Sequence, residues 1–200
     1  IKGVDIDIAQ AIADKLGVKL TVTNMDFDPI VDYVKNGRGD LGIAGMTIND
    51  ERKEAVDFSN EYITTTQYII IPKDADETTF DPNGKVIGVQ QGTTGDFVYA
   101  SEEIEAKEVK RYKSAVDAVA DLKAGRIECV IIDELPAKKL AEQNADAVKA
   151  YDPGYEPESY AIAMKKGSTE LQTVVNEVLK EFADSGKLEE SIVAHTSNAQ

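Results

Sequence analysis

Two runs of alternating helix and strand patterns, separated by one turn-rich segment, constrain the fold of this chain most strongly. In the first run, residues 5–16 carry apolar side chains at helical spacing before Gly17, and residues 18–22 alternate as a strand. Residues 72–85 are rich in Asp, Thr, Pro and Gly, which favour turns. The same alternation begins again at Val86. The chain is therefore predicted to be an α/β protein with two lobes, each a largely parallel sheet flanked by helices.

The predicted lobes are joined by two extended stretches of chain near residues 67–71 and 160–164. These stretches suggest a hinge with two crossings, in which the C-terminal helices return to the first lobe. We therefore predict a first lobe made of residues 1–70 and 162–200, and a second lobe made of residues 71–161.

The charge of the chain argues against several kinds of partner. A formal net charge of -15 and a pI near 4.5 give a field that repels nucleic-acid backbones and anionic membrane surfaces. No apolar run approaches the roughly 18 residues that a membrane-spanning helix needs, and no secretory leader precedes Ile1. We expect no nucleic-acid partner, and either a cytoplasmic chain or one whose signal peptide has been removed.

The chain contains one cysteine and one histidine. This composition excludes an internal disulfide, a cysteine-based zinc site and a histidine cluster. Cys129 lies in an apolar run and is interpreted as a buried core thiol, whereas His195 lies near a polar terminus and is expected at the surface. We expect neither a bound metal nor a cofactor.

The stretch from Gly45 to Arg52 is the first candidate site. A predicted strand ends near Gly45, Met46 and Thr47, and Asn49 is a favoured N-cap residue for a short helix that carries Arg52. The guanidinium of an arginine in this position can pair with both oxygens of a carboxylate. An arginine exposed on a helix explains the same pattern.

Two further candidates follow strands of the predicted second lobe, where α/β sheets bind ligands. Backbone N–H groups between Gly92 and Gly95 can receive an anion at a helix start, with the Thr93 and Thr94 hydroxyls as additional donors. Asp133 ends an apolar strand, where its carboxylate can meet an ammonium group. An ordinary helix cap is the alternative for both segments.

Seven segments follow one another along the chain in a fixed order: GVDIDIAQAIA at 3–13, DFDPI at 26–30, GMTINDER at 45–52, VDFS at 56–59, GVQQGTTG at 88–95, IIDELPA at 131–137 and YAIAMKKG at 160–167. Together they resemble the polar amino-acid solute-binding proteins of ABC transporters, the bacterial extracellular solute-binding proteins of family 3. The resemblance implies the two-lobed fold of periplasmic binding proteins. It also implies a further strand of the first lobe before Ile1.

The resemblance assigns a role to each candidate. It implies that Arg52 and the backbones of Thr47 and Thr94 hold the carboxylate of an amino acid, while Asp133 and the Gly45 carbonyl receive its ammonium group. Further residues are expected to stack on the ligand or to border it: Phe27, Met46, Gln91 and Thr93. Packing explains Met46 and Gln91 equally well. Asp5 matches a structural helix start in the family, so it is expected to cap a helix and not to touch the ligand.

The implied function is capture of a free polar or basic L-amino acid by hinge closure, followed by delivery to an ABC permease. In this interpretation the protein is a periplasmic or extracellular monomer and not an enzyme, with lipid anchoring through a segment outside this chain as a further option. Two alternatives use the same scaffold. One is an enzyme like cyclohexadienyl dehydratase, with an acidic residue such as Glu134 as general acid. The other is the ligand-binding domain of a sensor or receptor.

Overall fold

In a computed structural model, which describes residues 1–196, the chain divides into two compact units. Unit 1 contains Ile1–Met25, Pro29–Thr64 and the chain from Ser159 onward, and unit 2 contains Asp26–Asp28 and Thr65–Glu158. The chain passes from one unit to the other within β3 (Ile63–Thr65) and returns within β9 (Glu158–Tyr160). These two strands are neighbours in a two-stranded sheet.

Unit 1 is built from helices around a small sheet. Its three short strands are arranged in the order β1-β10-β2, and both pairings are antiparallel. None of the helices among residues 1–196 is long and apolar enough to cross a membrane. The remaining elements of this unit are α1 (Val4–Leu16), α2 (Ile30–Lys35), β1 (Leu41–Gly42), α3 (Asp50–Ala55), β2 (Asp57–Phe58), β10 (Ala163–Met164), α6 (Thr169–Asp184) and α7 (Lys187–Thr196).

Helix α1 anchors the core of unit 1. Ile8 and Ile12 lie on one face of this helix and are fully buried, and they pack in one cluster with Val175 and Val178 of α6. The helix ends at Gly17, whose φ of 66° is the left-handed conformation that a side chain would disfavour. The predicted helix and its glycine stop are therefore confirmed.

Unit 2 is a five-stranded sheet covered on both faces. The strand order is β6-β5-β7-β4-β8, in which β5 pairs in parallel with β6 and β7, and β4 pairs in antiparallel with β7 and β8. The elements of this unit are β4 (Gln67–Pro72), β5 (Val86–Gln90), a π-helix (Gly95–Glu103), β6 (Glu108–Tyr112), α4 (Ala115–Lys123), β7 (Cys129–Asp133), α5 (Glu134–Gln143) and β8 (Val148–Tyr151).

Alternate residues of the central strands build two apolar clusters on the two faces of this sheet. Ile70, Val130 and Ile132 pack with α4 and α5 on one face. Ile69 and Ile131 pack with the π-helix on the other. All of these side chains are almost completely inaccessible to solvent. The core thus holds the carboxyl ends of β5 and β7, which carry candidate ligand groups, in fixed positions.

Two details differ from the sequence-based expectation. Residues 18–22 form no strand, although Val18 and Val22 alternate as strand residues do; both side chains are exposed, and no strand of the described chain pairs with them. The sheets are also less parallel than expected, because the strands of unit 1 are antiparallel and β4 runs against its neighbours in unit 2. Apolar patterning predicts burial but not strand direction.

Candidate functional site

Arg52 is held in a defined position in unit 1. The side chain of Asn49 accepts a hydrogen bond from the Arg52 backbone N–H at 2.8 Å, so Asn49 caps α3 as predicted. The Arg52 side chain is only 8% exposed, and its Nη1 donates to the Thr47 carbonyl at 2.5 Å. The alternative of a solvent-exposed helix arginine is therefore wrong. A guanidinium carries five N–H donors in a planar fork, a geometry that matches a carboxylate.

The backbone around Thr47 is fixed by its neighbours in the sequence. The Met46 carbonyl accepts from Ala161 N–H at 3.0 Å, and Ile48 N–H donates to the Ser159 carbonyl at 3.1 Å. Within the described residues the Thr47 N–H donates to no acceptor, although Thr47 is buried. An unused buried N–H beside a guanidinium is a suitable receptor for an anionic oxygen. The Met46 side chain is completely buried, which favours its packing role.

Gly45 is positioned by Asp5. The Asp5 carboxylate accepts from the Gly45 N–H at 2.8 Å and from the Tyr62 hydroxyl at 2.7 Å. Burial raises the pKa of Asp5, and the two hydrogen bonds oppose this shift. Gly45 has a φ of 54°, and a Cβ atom there would lie 3.2 Å from the Tyr160 ring. The expectation that Asp5 caps α1 is wrong: Gly3 occupies the N-cap position, and no side chain caps the helix.

In unit 2, the turn from Gly92 to Gly95 is fixed by a buried carboxylate. Asp96 is 1% exposed and accepts from the Gly92 N–H at 3.2 Å, and Arg111 forms an ion pair with it at 2.9 Å. The Thr93 hydroxyl donates back to the Gln90 carbonyl at 2.8 Å, so it serves the turn. The Thr94 N–H donates to no acceptor of the described residues. The backbone of Thr94 therefore remains available to a ligand.

Asp133 lies at the end of β7, opposite Gln67 of β4. It is 8% exposed, and its Oδ1 accepts from the Gln67 Nε2 at 2.9 Å. Although it occupies the N-cap position of α5, its side chain makes no capping hydrogen bond. The cap interpretation therefore does not account for its carboxylate, which accepts a hydrogen bond from Gln67.

Phe27 belongs to unit 2, and not to the first lobe as the sequence suggested. Its neighbours are attached to that unit. Asp26 pairs with Lys113 at 3.3 Å, and Asp28 accepts from the Gln91 Nε2 at 3.1 Å. The partly buried Phe27 is thus carried on a short segment with a bond on each side. Gln91 is exposed and acts through this contact.

Three other groups with reactive or titratable side chains are Cys129, Glu134 and His195. Cys129 is completely buried, as predicted, and burial raises the pKa of its thiol to about 12. Glu134, the candidate general acid, forms an ion pair with Lys138 at 2.5 Å. His195 contacts the Asp7 carboxylate at 2.9 Å. Among residues 1–196 no group of three or more His, Cys, Asp or Glu side chains is arranged to hold a metal ion.

Sequence reasoning did not identify the residues that orient the candidate groups. Gln67 and Asp96 are both buried, and each fixes a neighbour through its side chain. Gln67 does have a recognisable sequence signal. Its polar amide begins a run of otherwise largely apolar residues that ends at Ile71. No comparable signal marks Asp96, since a first-turn aspartate is ordinary in a helix.

The chain matches one family of bacterial proteins along nearly its whole length. The profile of the bacterial extracellular solute-binding proteins, family 3, matches residues 1–195. The chain is 34% identical over 194 residues to the arginine-binding extracellular protein ArtP of Bacillus subtilis, covering 94% of this chain and 75% of that protein. It is 33% identical over 199 residues to the L-arginine-binding protein of Pseudomonas aeruginosa, covering 94% and 76%. A probable histidine-binding protein of Neisseria gonorrhoeae is 27% identical over 194 residues, covering 94% and 72%.

Solved structures of amino-acid-binding proteins share the fold of this chain. An ancestral arginine-binding protein bound to arginine superimposes with a TM-score of 0.88 at 36% identity, covering 98% of this chain and 88% of that chain. The amino acid ABC transporter substrate-binding protein AbpA of Streptococcus pneumoniae, bound to L-arginine, gives a TM-score of 0.87 at 30% identity, covering 96% and 82%. An ancestral arginine-binding protein bound to glutamine gives 0.86 at 36% identity, covering 98% and 87%. The predicted two-lobed α/β fold class is confirmed.

Proposed function

The chain belongs to the bacterial extracellular solute-binding proteins of family 3, and from this premise we propose that it captures a free basic amino acid, L-arginine first, for an ABC transporter. Amino-acid capture is the function of its relatives, and several of them are named for arginine. A relative named for histidine and a neighbour bound to glutamine show that the scaffold accepts other side chains. The choice of arginine is therefore the part of the proposal that most needs a direct test.

The arrangement of Arg52 beside Thr47 carries the proposal. In the proposed complex, the Arg52 guanidinium pairs with the ligand carboxylate. The backbone N–H groups of Thr47 and Thr94 donate to the same carboxylate. These three groups are buried or partly buried, and the two N–H groups have no acceptor within the described chain. A carboxylate bound by a desolvated guanidinium contributes about 1.5–3 kcal/mol through each charged hydrogen bond.

The positive groups of the ligand have separate receptors in the proposal. Asp133 and the Gly45 carbonyl accept from the α-ammonium. Phe27 covers the side chain, and an aromatic face attracts a guanidinium or an ammonium group. The overall charge of -15 adds a long-range attraction for a basic ligand. Met46, Gln91 and Thr93 are assigned to support of the neighbouring backbone, as their hydrogen bonds and burial favour.

Delivery completes the proposed function. Ligand binding that favours a closed state over an open one shifts the population of the two, and a membrane permease that recognises the closed state receives the amino acid. Family members work outside the cytoplasm, in the periplasm or extracellular space. We propose the same location for this chain, as a monomer without a cofactor. Lipid anchoring through a segment outside the chain is compatible with it.

Substitution of Arg52 tests the assignment. We expect Arg52→Ala to weaken L-arginine binding by at least about tenfold, because the ligand carboxylate would lose its charged partner in a buried position. Isothermal titration calorimetry measures the change, and Arg38→Ala, which removes an exposed arginine of the same unit, is the matched control. An affinity of Arg52→Ala equal to that of the control would reject the role of Arg52.

A ligand screen separates transport from catalysis. The native protein would be tested in a thermal-shift assay against the twenty amino acids and prephenate, with product analysis for prephenate. We expect stabilisation by arginine without turnover. Conversion of prephenate would support the dehydratase alternative, for which the chain offers acidic residues such as Glu134 but no histidine among its candidate groups.

A further inference from the structure

Three polar side chains of unit 2 form a cluster: Gln67 and Asp133 are buried, and Glu158 is partly buried. Gln67 is completely buried, and its Nε2 donates to Asp133 Oδ1 at 2.9 Å and to Glu158 Oε1 at 2.6 Å. Both N–H groups of one neutral amide are therefore used on two carboxylates. Since an amide nitrogen carries only two hydrogens, it has no further donor for either carboxylate.

The orientation of this amide is set by its neighbours. Reversing it would place the amide oxygen against two carboxylate oxygens, which repel it, so the nitrogen must face Asp133 and Glu158. The amide oxygen then points towards the Gly92 to Gly95 turn, where a Cβ atom on Gly95 would lie only 2.9 Å away. Gln67 is thus locked between that turn and the two acids.

The second oxygen of Glu158 has an unusual environment. Glu158 Oε2 is buried and accepts no hydrogen bond from the described residues. Within residues 1–196, no lysine, arginine or histidine forms an ion pair with Glu158 either. An unpaired buried acceptor costs about 1–3 kcal/mol, and more when it is charged. This oxygen is therefore available to a donor that the chain itself does not supply.

The negative charges of the two acids indicate what kind of group would donate to Glu158 Oε2. Glu158 and Asp133 lie on either side of one neutral amide nitrogen, so two negative charges are separated by two hydrogen bonds. A cation relieves this repulsion, whereas a water molecule would not change the charge. An ammonium group carries three N–H donors and can serve both acids at once.

We infer that Glu158 is a ligand-contacting residue that accepts a hydrogen bond from the α-ammonium group of the bound amino acid, beside Asp133. This assignment rests on the proposed function.

The test compares Glu158→Gln with Glu156→Gln in calorimetric titrations with L-arginine, using L-glutamine as a second probe. Both variants remove one negative charge without changing side-chain size, but Glu156 is exposed and serves as the control. Unfolding of the unliganded proteins is measured in parallel. We expect Glu158→Gln to bind L-arginine at least about tenfold more weakly than the control, as loss of a charged hydrogen bond implies.

Stability distinguishes ligand contact from a structural role. A glutamine at 158 can still accept from Gln67, and it removes the repulsion with Asp133, so the unliganded variant should unfold at the same temperature or a higher one. An affinity within twofold of the control overturns the inference. A lower unfolding midpoint together with weaker binding also overturns it, because Glu158 would then support the fold. If the unaltered protein binds no amino acid at all, the proposed function itself fails.

Discussion

Substitution of Asp5 should show how much this partly buried carboxylate stabilises unit 1 and the backbone at Gly45. Asp5 accepts from the Gly45 N–H and the Tyr62 hydroxyl; Tyr62 is buried, and Asp5 and Gly45 are partly buried. Asp5→Ala removes both acceptors and leaves one buried donor, on Tyr62, and one partly buried donor, on Gly45, without this partner. Gly45 would also lose the bond that holds its backbone at a φ of 54°.

The magnitude follows from these two donors. Each unsatisfied buried donor costs about 1–3 kcal/mol, which gives about 2–6 kcal/mol for the pair. Burial raises the pKa of Asp5, so part of the stabilisation is already opposed by desolvation of the carboxylate. We therefore expect the lower half of the range, about 2–4 kcal/mol, equivalent to about 4–16 °C in the unfolding midpoint of a chain this long.

The assay is thermal unfolding of the unliganded protein, followed by titration with L-arginine. Asp14→Ala is the control, because Asp14 lies on the same helix but is exposed. Weaker ligand binding should accompany the loss of stability, since Gly45 would no longer be held. If Asp5→Ala unfolds at the same temperature as the control, the two hydrogen bonds do not stabilise the unit and the reasoning is wrong.

Two further substitutions probe a turn and a titrating contact. Gly92→Ala should bind ligand more weakly than Gly125→Ala in calorimetry: both place alanine at positive φ, at about 1–2 kcal/mol, but only the former puts a Cβ 2.6 Å from Asp28. Equal affinities would exclude a role for that contact. The hydrogen bond from Ser191 lowers the pKa of Asp7, so wild type should be more stable than Asp7→Asn above pH 3.8, and this advantage should disappear as the pH falls through the lowered pKa. Denaturation curves between pH 2 and 7 would show it, and a pH-independent difference would contradict it.

Local sequence signals predicted much of the fold because they act over a few residues. Asn49 caps its helix, and Gly17 ends the first helix in the left-handed conformation, as expected from residue type alone. The prediction of a strand at residues 18–22 was wrong, because an alternating pattern describes a single strand and not the neighbour with which it would pair. Whether a strand forms also depends on a neighbour that residue order does not reveal.

The candidate ligand groups have local sequence signals, whereas the contacts that orient them do not. Asp133 ends β7, Thr94 lies in the turn after β5, and Arg52 lies on the short helix after β1, which are local and recognisable positions. Gln67 and Asp5 act across long stretches of sequence, on Asp133 and Gly45 respectively. Such pairings depend on tertiary packing, so no spacing rule predicts them.

The position of Cys129 makes the chain its own probe of local unfolding. Its sulfur lies in the central strand β7 of unit 2, inaccessible to solvent, and the 200 residues contain no second thiol. A thiol reagent can therefore modify the native protein only when that strand becomes exposed. The rate of modification therefore measures local unfolding of unit 2. The measurement needs no engineered cysteine, and unit 1 contributes no thiol.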